Sequence, residues 1–453
     1  MINLRFFISC LSLFVLSFSI YIPVYANESE EEIKSLREER LETIMYGIDT
    51  QVSELISILE TEKNFDFNAD LLNLLEDSNN SRLEVSIIKL FKIAEDDSAV
   101  DYIFEELQEN FNLPDDILVS FIDYIADYQT IEISEYFLSL IEEDSNTISI
   151  ASITALGKSN LENTIEILIE YLEDSLFDDL RKPALIESLG KLKAEEALEI
   201  LSDIATDIYT ENSSLRWRAV VALGEIGSEE SLPVLKSLFS DKDPYLRNYT
   251  ITALKHFPSK DVEELLIQGL KDSSWRVRVN AARSLGELGI KESVPILIYK
   301  AENDPDIRNV RAASVRALGE IGGSKAYDFI RNLYENKRSD IGLRSISISI
   351  LADKDLSNSI KTINSVFDEE WDKDKSDILD YTCKVLSTTE NSDLKELYAR
   401  MLSYDTTLNL KLYALRGIRM NSLKSFREEV ENLTSEETTR VIRKLAIDVL
   451  SDL

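Results

Sequence analysis

His256 is the single histidine in a chain of 453 residues. That scarcity narrows the chemistry at once, because imidazole is the side chain best suited to proton transfer near neutral pH. It follows the stretch Leu246–Lys255 directly, where related stretches carry Glu225, Glu287 and Glu320, so a surface position is expected. Serine or cysteine nucleophiles need a histidine held against them, and nothing in the local sequence positions this one. Thiols are equally sparse: Cys10 lies in an N-terminal apolar run, and Cys383 falls in a column of small and apolar residues that reads as buried. Gly-rich phosphate loops are absent. Asp372-Lys-Asp374 lacks the central Gly and terminal Glu of a calcium loop and reads as a solvated turn. No catalytic residue, metal ligand or cofactor emerges from these residues.

Binding chemistry is better represented. Lys182, Arg216, Arg247, Arg278, Arg311, Arg344, Lys411 and Arg443 recur about once per 31 to 35 residues, a column of cations down the chain. As a surface feature this column reads as an anion-binding ridge, since the guanidinium fork suits carboxylates and phosphates. Trp217 with Arg218, and Trp275 with Arg276, have the composition of a protein-binding hot spot. Packing against a neighbouring segment is the competing reading for both tryptophans.

These residues are carried by a repeated phrase. Leu215-Arg-Trp-Arg-Ala-Val-Val-Ala-Leu-Gly-Glu-Ile-Gly227 returns, with variation, at 246–255, 277–289 and 310–322. Apolar or small residues one, four, five and nine places before Gly224, Lys255, Gly286 and Gly319 share one face of a helix. Those glycines are expected to stop the helix by entering the left-handed conformation. A second amphipathic helix follows in Ser228–Phe239, with Ser228 as expected N-cap and Pro233 in the first turn. The same register runs from Tyr46 to Leu450. Leu90, Leu156, Leu223, Leu285 and Leu351 stand one before a stop, Ile87, Ile153, Val220, Ile348 and Ile447 four before, and Ile58, Phe137, Leu201, Leu266 and Val430 eleven after. One interval, of 44 residues between Gly47 and Phe91, is irregular and reads as an insertion near Thr61–Asp70.

The phrase resembles HEAT repeats of the subclass named after phycobilisome lyases, whose hallmark is Asp, then Val/Leu-Arg, then Ala-x-x-Ala-Leu-Gly-x-Ile-Gly. The resemblance implies an all-α, right-handed α-α superhelix of armadillo type, about a dozen helix pairs running without a linker over residues 27–453 and most regular at 215–323. It also implies bonds between neighbouring repeats through Asp241 and Arg247, and Asp272 and Arg278, with an offset at Arg311, which stands seven rather than six residues after Asp304. Families of this fold include scaffolds, adaptors and a few enzymes. Among them are di-iron hydroxylases with paired His-Glu motifs, and this sequence has no His-Glu pair.

The termini and the charge complete the picture. Residues 1–26 read as a signal peptide cleaved after Ala26, since Phe6–Ile22 is uncharged and Val24-Tyr-Ala26 presents small residues before the acidic Asn27-Glu-Ser-Glu. An uncleaved anchor competes, although the run is short for a span. Net charge is −35, and residues 27–214 hold 46 acidic against 12 basic side chains. Such a surface disfavours nucleic acid, which needs a basic track. It serves solubility, or it attracts basic proteins or divalent cations. The sequence thus points to an exported, periplasmic, non-catalytic scaffold or adaptor that binds protein partners. A bilin-lyase-like enzyme or accessory, or a binder of cations and basic ligands, stands as the alternative.

Overall fold

The computed structural model describes residues 30–109, 113–159, 161, 163–174, 176–209, 212–371, 373, 375–403 and 407–453. The expected signal peptide, Asp372 and Asp374 lie outside the described residues. These hold twenty-six α-helices and no strand, and no helix among them is long and apolar enough to cross a membrane. The chain divides into two compact units, one ending at Leu74 and the other spanning Leu75–Leu453.

The first unit holds the helix pair Glu30–Tyr46 and Asp49–Glu62, tied by an Arg40–Glu62 ion pair at 2.8 Å. The division falls within Asn68–Asp77, a helix that has no counterpart in the periodic register. This helix is the insertion that lengthens the irregular interval.

The second unit is a superhelical array of helix pairs that begins at Ser81–Ala94 and closes on the lone helix Arg440–Asp452. Local signals explain the units. Ser213–Ile226 starts at Asn212, whose side chain accepts from the Ser214 amide at 3.2 Å, and ends at Gly227 with φ +73°. Its partner Leu232–Leu238 carries Pro233 in its first turn, where no amide is needed. The entry to that partner differs from expectation: Ser228 makes no side-chain cap, and a 3₁₀ turn, Glu229–Ser231, is held by the Ser231 hydroxyl donating to the Ser228 carbonyl at 2.6 Å.

The apolar columns form the core. Leu156, Leu223, Leu285, Leu318 and Leu351 are 0 % exposed, as are Ile87, Ile153, Val220 and Ile348 and, on the second helices, Phe137, Leu201, Leu266 and Val430. Each is worth roughly 1.5–3 kcal/mol of apolar transfer. The register slips at the ends. Tyr46 and Ile58 in the first unit, and Ile447 in the last helix, face water, and Ile44, Leu59, Ala446 and Val449 take the buried places. In these helices the covered face is turned by one or two residues from the expected register.

The phrase glycines also differ from expectation. Gly224, Gly286 and Gly319 lie inside Ser213–Ile226, Trp275–Glu287 and Ala312–Ile321, and the left-handed residues are Gly227, Gly289 and Gly322. The reason for glycine at the inner positions is contact: a Cβ on Gly224 would sit 2.8 Å from Ala253 Cα, and one on Gly286 2.8 Å from Ala317 Cα. Successive first helices touch through these points, while second helices meet each other less.

Candidate protein-interaction surface

The cation column is an internal ladder in the middle of the array. Asp241, Asp272 and Asp304 follow successive second helices, and each accepts the amide two residues on, from Asp243, Ser274 and Asp306, at 2.8, 2.7 and 3.1 Å. That bond orients the carboxylate toward the arginine of the preceding first helix. Arg216 reaches Asp241 at 2.8 Å, Arg247 meets Asp272 through two bonds of 2.8 Å, and Arg278 meets Asp304 through two of 2.9 Å. Arg247 and Arg278 also donate backwards to the Asp241 and Asp272 carbonyls at 2.9 and 3.0 Å. Arg247 and Arg278 therefore each tie the loop before their own helix to the loop that follows the next second helix. Burial opposes the charge on each Asp, but the guanidinium and the local amide outweigh it and hold all three carboxyls below their ordinary pKa.

Elsewhere the column is weaker. Lys182 pairs with Asp179 at 2.9 Å, and Arg344 donates Nε to the Tyr334 carbonyl at 2.7 Å. Arg311 stands outside the pairing: it donates to the Ala301 carbonyl at 2.5 Å and meets no carboxylate among the described residues. The offset of one residue after Asp304 is taken up in a π-helical turn, Ile307–Arg311.

Beside the ladder lies an aromatic band across three consecutive first helices. The Trp217 ring is 6.0 Å from Tyr249, nearly parallel at 24°, and 5.2 Å from Tyr245, while its indole N–H donates to Asp243 at 2.7 Å. Arg276 lies 5.4 Å over Tyr245 and 4.5 Å over Trp275. Trp217 is half-buried, whereas Tyr245 and Trp275 are 44 % and 36 % exposed and Arg276 is open to solvent. Of the four residues grouped from sequence, Trp217, Trp275 and Arg276 come together and Arg218 does not, because it reaches back to an ion pair with Glu187. Tyr245, Tyr249 and Asp243 were not singled out from sequence. The signal was there: Tyr245 and Arg276 both stand two residues before a ladder arginine, so adjacent helices place them side by side.

Groups with reactive potential are set apart from this band. His256 is exposed, and partial desolvation together with the Lys255 ammonium keeps its pKa below the ordinary value. Cys383 is fully buried, and desolvation pushes its thiol well above the ordinary range, so it is an inert core side chain. Among the described residues no three His, Cys, Asp or Glu side chains gather as a metal site.

The model of the spirochaete HEAT repeat protein family matches residues 44–449. The chain belongs to that family. This spirochaete-type HEAT protein is 28 % identical over 159 residues to deoxyhypusine hydroxylase of Candida albicans, a match that takes in 34 % of this chain and 48 % of that protein. The chain thus spans about half the length of the curated relative it matches. Its fold is similar to that of a chain in the Kap95:Nup1 complex, with a TM-score of 0.50 at 12 % identity, covering 94 % of this chain and 72 % of the other. The complex of CpcE and CpcF of phycocyanin lyase from Nostoc sp. PCC7120 is similar at 19 % identity, with 52 % of this chain, 94 % of that one and a TM-score of 0.33.

Proposed function

We propose that this HEAT protein is an exported, periplasmic, non-catalytic scaffold or adaptor that seats a protein partner on the Tyr245–Arg276–Trp275 edge. The observation that carries the reading is the band itself: large aromatic rings and an arginine without a carboxylate partner among the described residues, left open on helices that the ladder locks together. Tyr, Trp and Arg dominate binding hot spots because they offer much contact area at small conformational cost. A rigid support under them keeps that cost low. The acidic N-terminal half favours a partner with basic surface and disfavours nucleic acid.

The test is isolation of the protein with its partner from the cell envelope, comparing the wild type with Trp275→Ala and Tyr245→Ala. A defined protein that accompanies the wild type and is lost from both variants supports the reading. Equal recovery in all three removes it.

A second reading, an enzyme or enzyme accessory, rests on the 28 % identity to a hydroxylase. Against it stands the absence of any histidine beyond the exposed His256. A metal-bearing or coloured preparation of the purified chain is the outcome that favours it.

A further inference from the structure

The ladder has one incomplete rung. Arg311 holds the same column position as Arg216, and its Nε donates to the Ala301 carbonyl as Arg216 Nε does to Ala205, at 2.5 and 3.0 Å. In the three finished rungs the guanidinium also meets an acid: Arg216 reaches Asp241 through Nη2, and Arg247 and Arg278 meet Asp272 and Asp304 through Nε and Nη2. At the corresponding place for Arg311 stands Asn336. Asn336 ends Ser324–Glu335 with φ −69° and ψ 107°, as Asp304 ends Val294–Asn303 with φ −65° and ψ 134°. Its side-chain oxygen accepts the amide two residues on at 3.0 Å, as Asp304 does at 3.1 Å. The position is built like a rung, but its acid has become a neutral amide.

Two further features open this place. The additional residue before Arg311 forms a π-helical turn, Ile307–Arg311, a distortion that recurs at functional sites. Beside it is a cleft of about 610 Å³ lined by Ile307, Arg311, Phe329, Asn336 and Arg338 among others. Ile307 is 41 % exposed, Phe329 is half-buried and Arg338 is open to water. Of the two carboxylates that also line the cleft, Asp340 is committed to the Gly342 and Leu343 amides as a helix cap, and Glu302 makes no ion pair with Arg311.

We infer that this cleft takes a carboxylate from an acidic peptide segment of a protein partner, the incoming group supplying the missing half of the Arg311 rung. Arg311 and Arg338 hold the charge, and Ile307 and Phe329 cover the apolar stem. The finished rungs show which ligand this arginine position accepts, a carboxylate met at 2.8–2.9 Å. The inference rests on the scaffold reading only in taking the acid from a protein.

The test is fluorescence anisotropy with a labelled hexaglutamate peptide amidated at its C-terminus, and with a Gly-Ser hexapeptide that bears one free C-terminal carboxylate. Physiological salt confines electrostatics to about 8 Å, so retained binding reports the local site rather than the acidic chain as a whole. Asn336→Asp completes the rung internally. It is expected to raise the unfolding midpoint and to weaken peptide binding by at least about tenfold, the scale of a lost hydrogen bond to a charged group. Arg311→Gln weakens binding to the same degree without raising the midpoint. Binding of the first peptide assigns the site to side-chain acids, and binding of the second to a chain terminus. Failure of both to bind the wild type, or equal affinity for the wild type and the two variants, overturns the inference. Either result leaves the Trp275 edge untouched, because that surface is judged by partner capture and by other substitutions.

Discussion

Arg278 holds Asp304 through two parallel bonds of 2.9 Å, and Asp304 is only 4 % exposed. Lys300 adds a third contact at 3.2 Å. A carboxylate removed this far from water is stable as an anion only while those donors remain. Arg278→Ala is therefore expected to destabilise the array by about 3 kcal/mol, the low end for breaking a buried pair, since Lys300 still offsets part of the charge. Chemical unfolding measures it, and a change under about 0.5 kcal/mol, ordinary for a surface substitution, contradicts the ladder as a structural element.

The same rungs set an acid limit. Asp241, Asp272 and Asp304 have folded-state pKa values below the ordinary value. A depressed carboxyl stabilises the fold above the unfolded pKa, near 4, and that contribution disappears as pH falls from there through the folded value. The stability difference between wild type and Asp304→Asn should then be constant from pH 7 to about 5 and shrink below about pH 4. Melting curves across that range decide the matter. A gap that stays constant to pH 2 means the Asp304 carboxyl has the same pKa in the folded and unfolded chain.

Gly286→Ala sets two effects against each other. Alanine favours a helix by about 1 kcal/mol over glycine. The new methyl group, however, would lie 2.8 Å from the Ala317 backbone, so the two helices must separate, and overpacking of this kind costs about 1–3 kcal/mol. Net destabilisation is expected, read as a lower melting temperature. A higher one would show that the helices are free to move apart.

Much of the array was legible from the sequence because small and apolar residues recur at a constant interval and a periodic column has only one use in a stacked fold. Leu285 illustrates it: fully buried as expected, it should cost about 2–5 kcal/mol when cut to Ala. What sequence did not reveal is what a neighbour does to a residue. Gly286 beside a helix end looks like a stop, and only the approach of Ala317 shows why glycine is needed there. Ile447 has the right spacing for the core but belongs to the last helix, where the column rotates to Ala446 and Val449. Arg218 was grouped with Trp217 because they are adjacent, yet adjacent helical residues point about 100° apart. One therefore faces Tyr245 and the other Glu187.

Trp275 and Trp217 should separate recognition from stability. Among the described residues the Trp275 ring is stacked by Arg276 alone and is 36 % exposed, with no hydrogen bond from its indole to a helix start, so Trp275→Ala is expected to disturb the fold less than Trp217→Ala. Trp217 is half-buried and donates to Asp243, which itself caps Pro244–Leu254 through the Tyr245 amide at 2.8 Å. Losing Trp217 thus loosens a helix start as well as the band, and Trp217→Ala should lower stability by about 1 kcal/mol, the usual worth of a disturbed cap. Partner affinity is expected to fall by at least about 2 kcal/mol for Trp275→Ala, as for a hot-spot residue, with the melting temperature nearly unchanged. Calorimetric titration with the isolated partner and thermal melting of the free chain measure the two effects separately. If Trp275→Ala melts early and binds normally, the ring is a packing element of its own repeat, and recognition has to be sought on another face of the array.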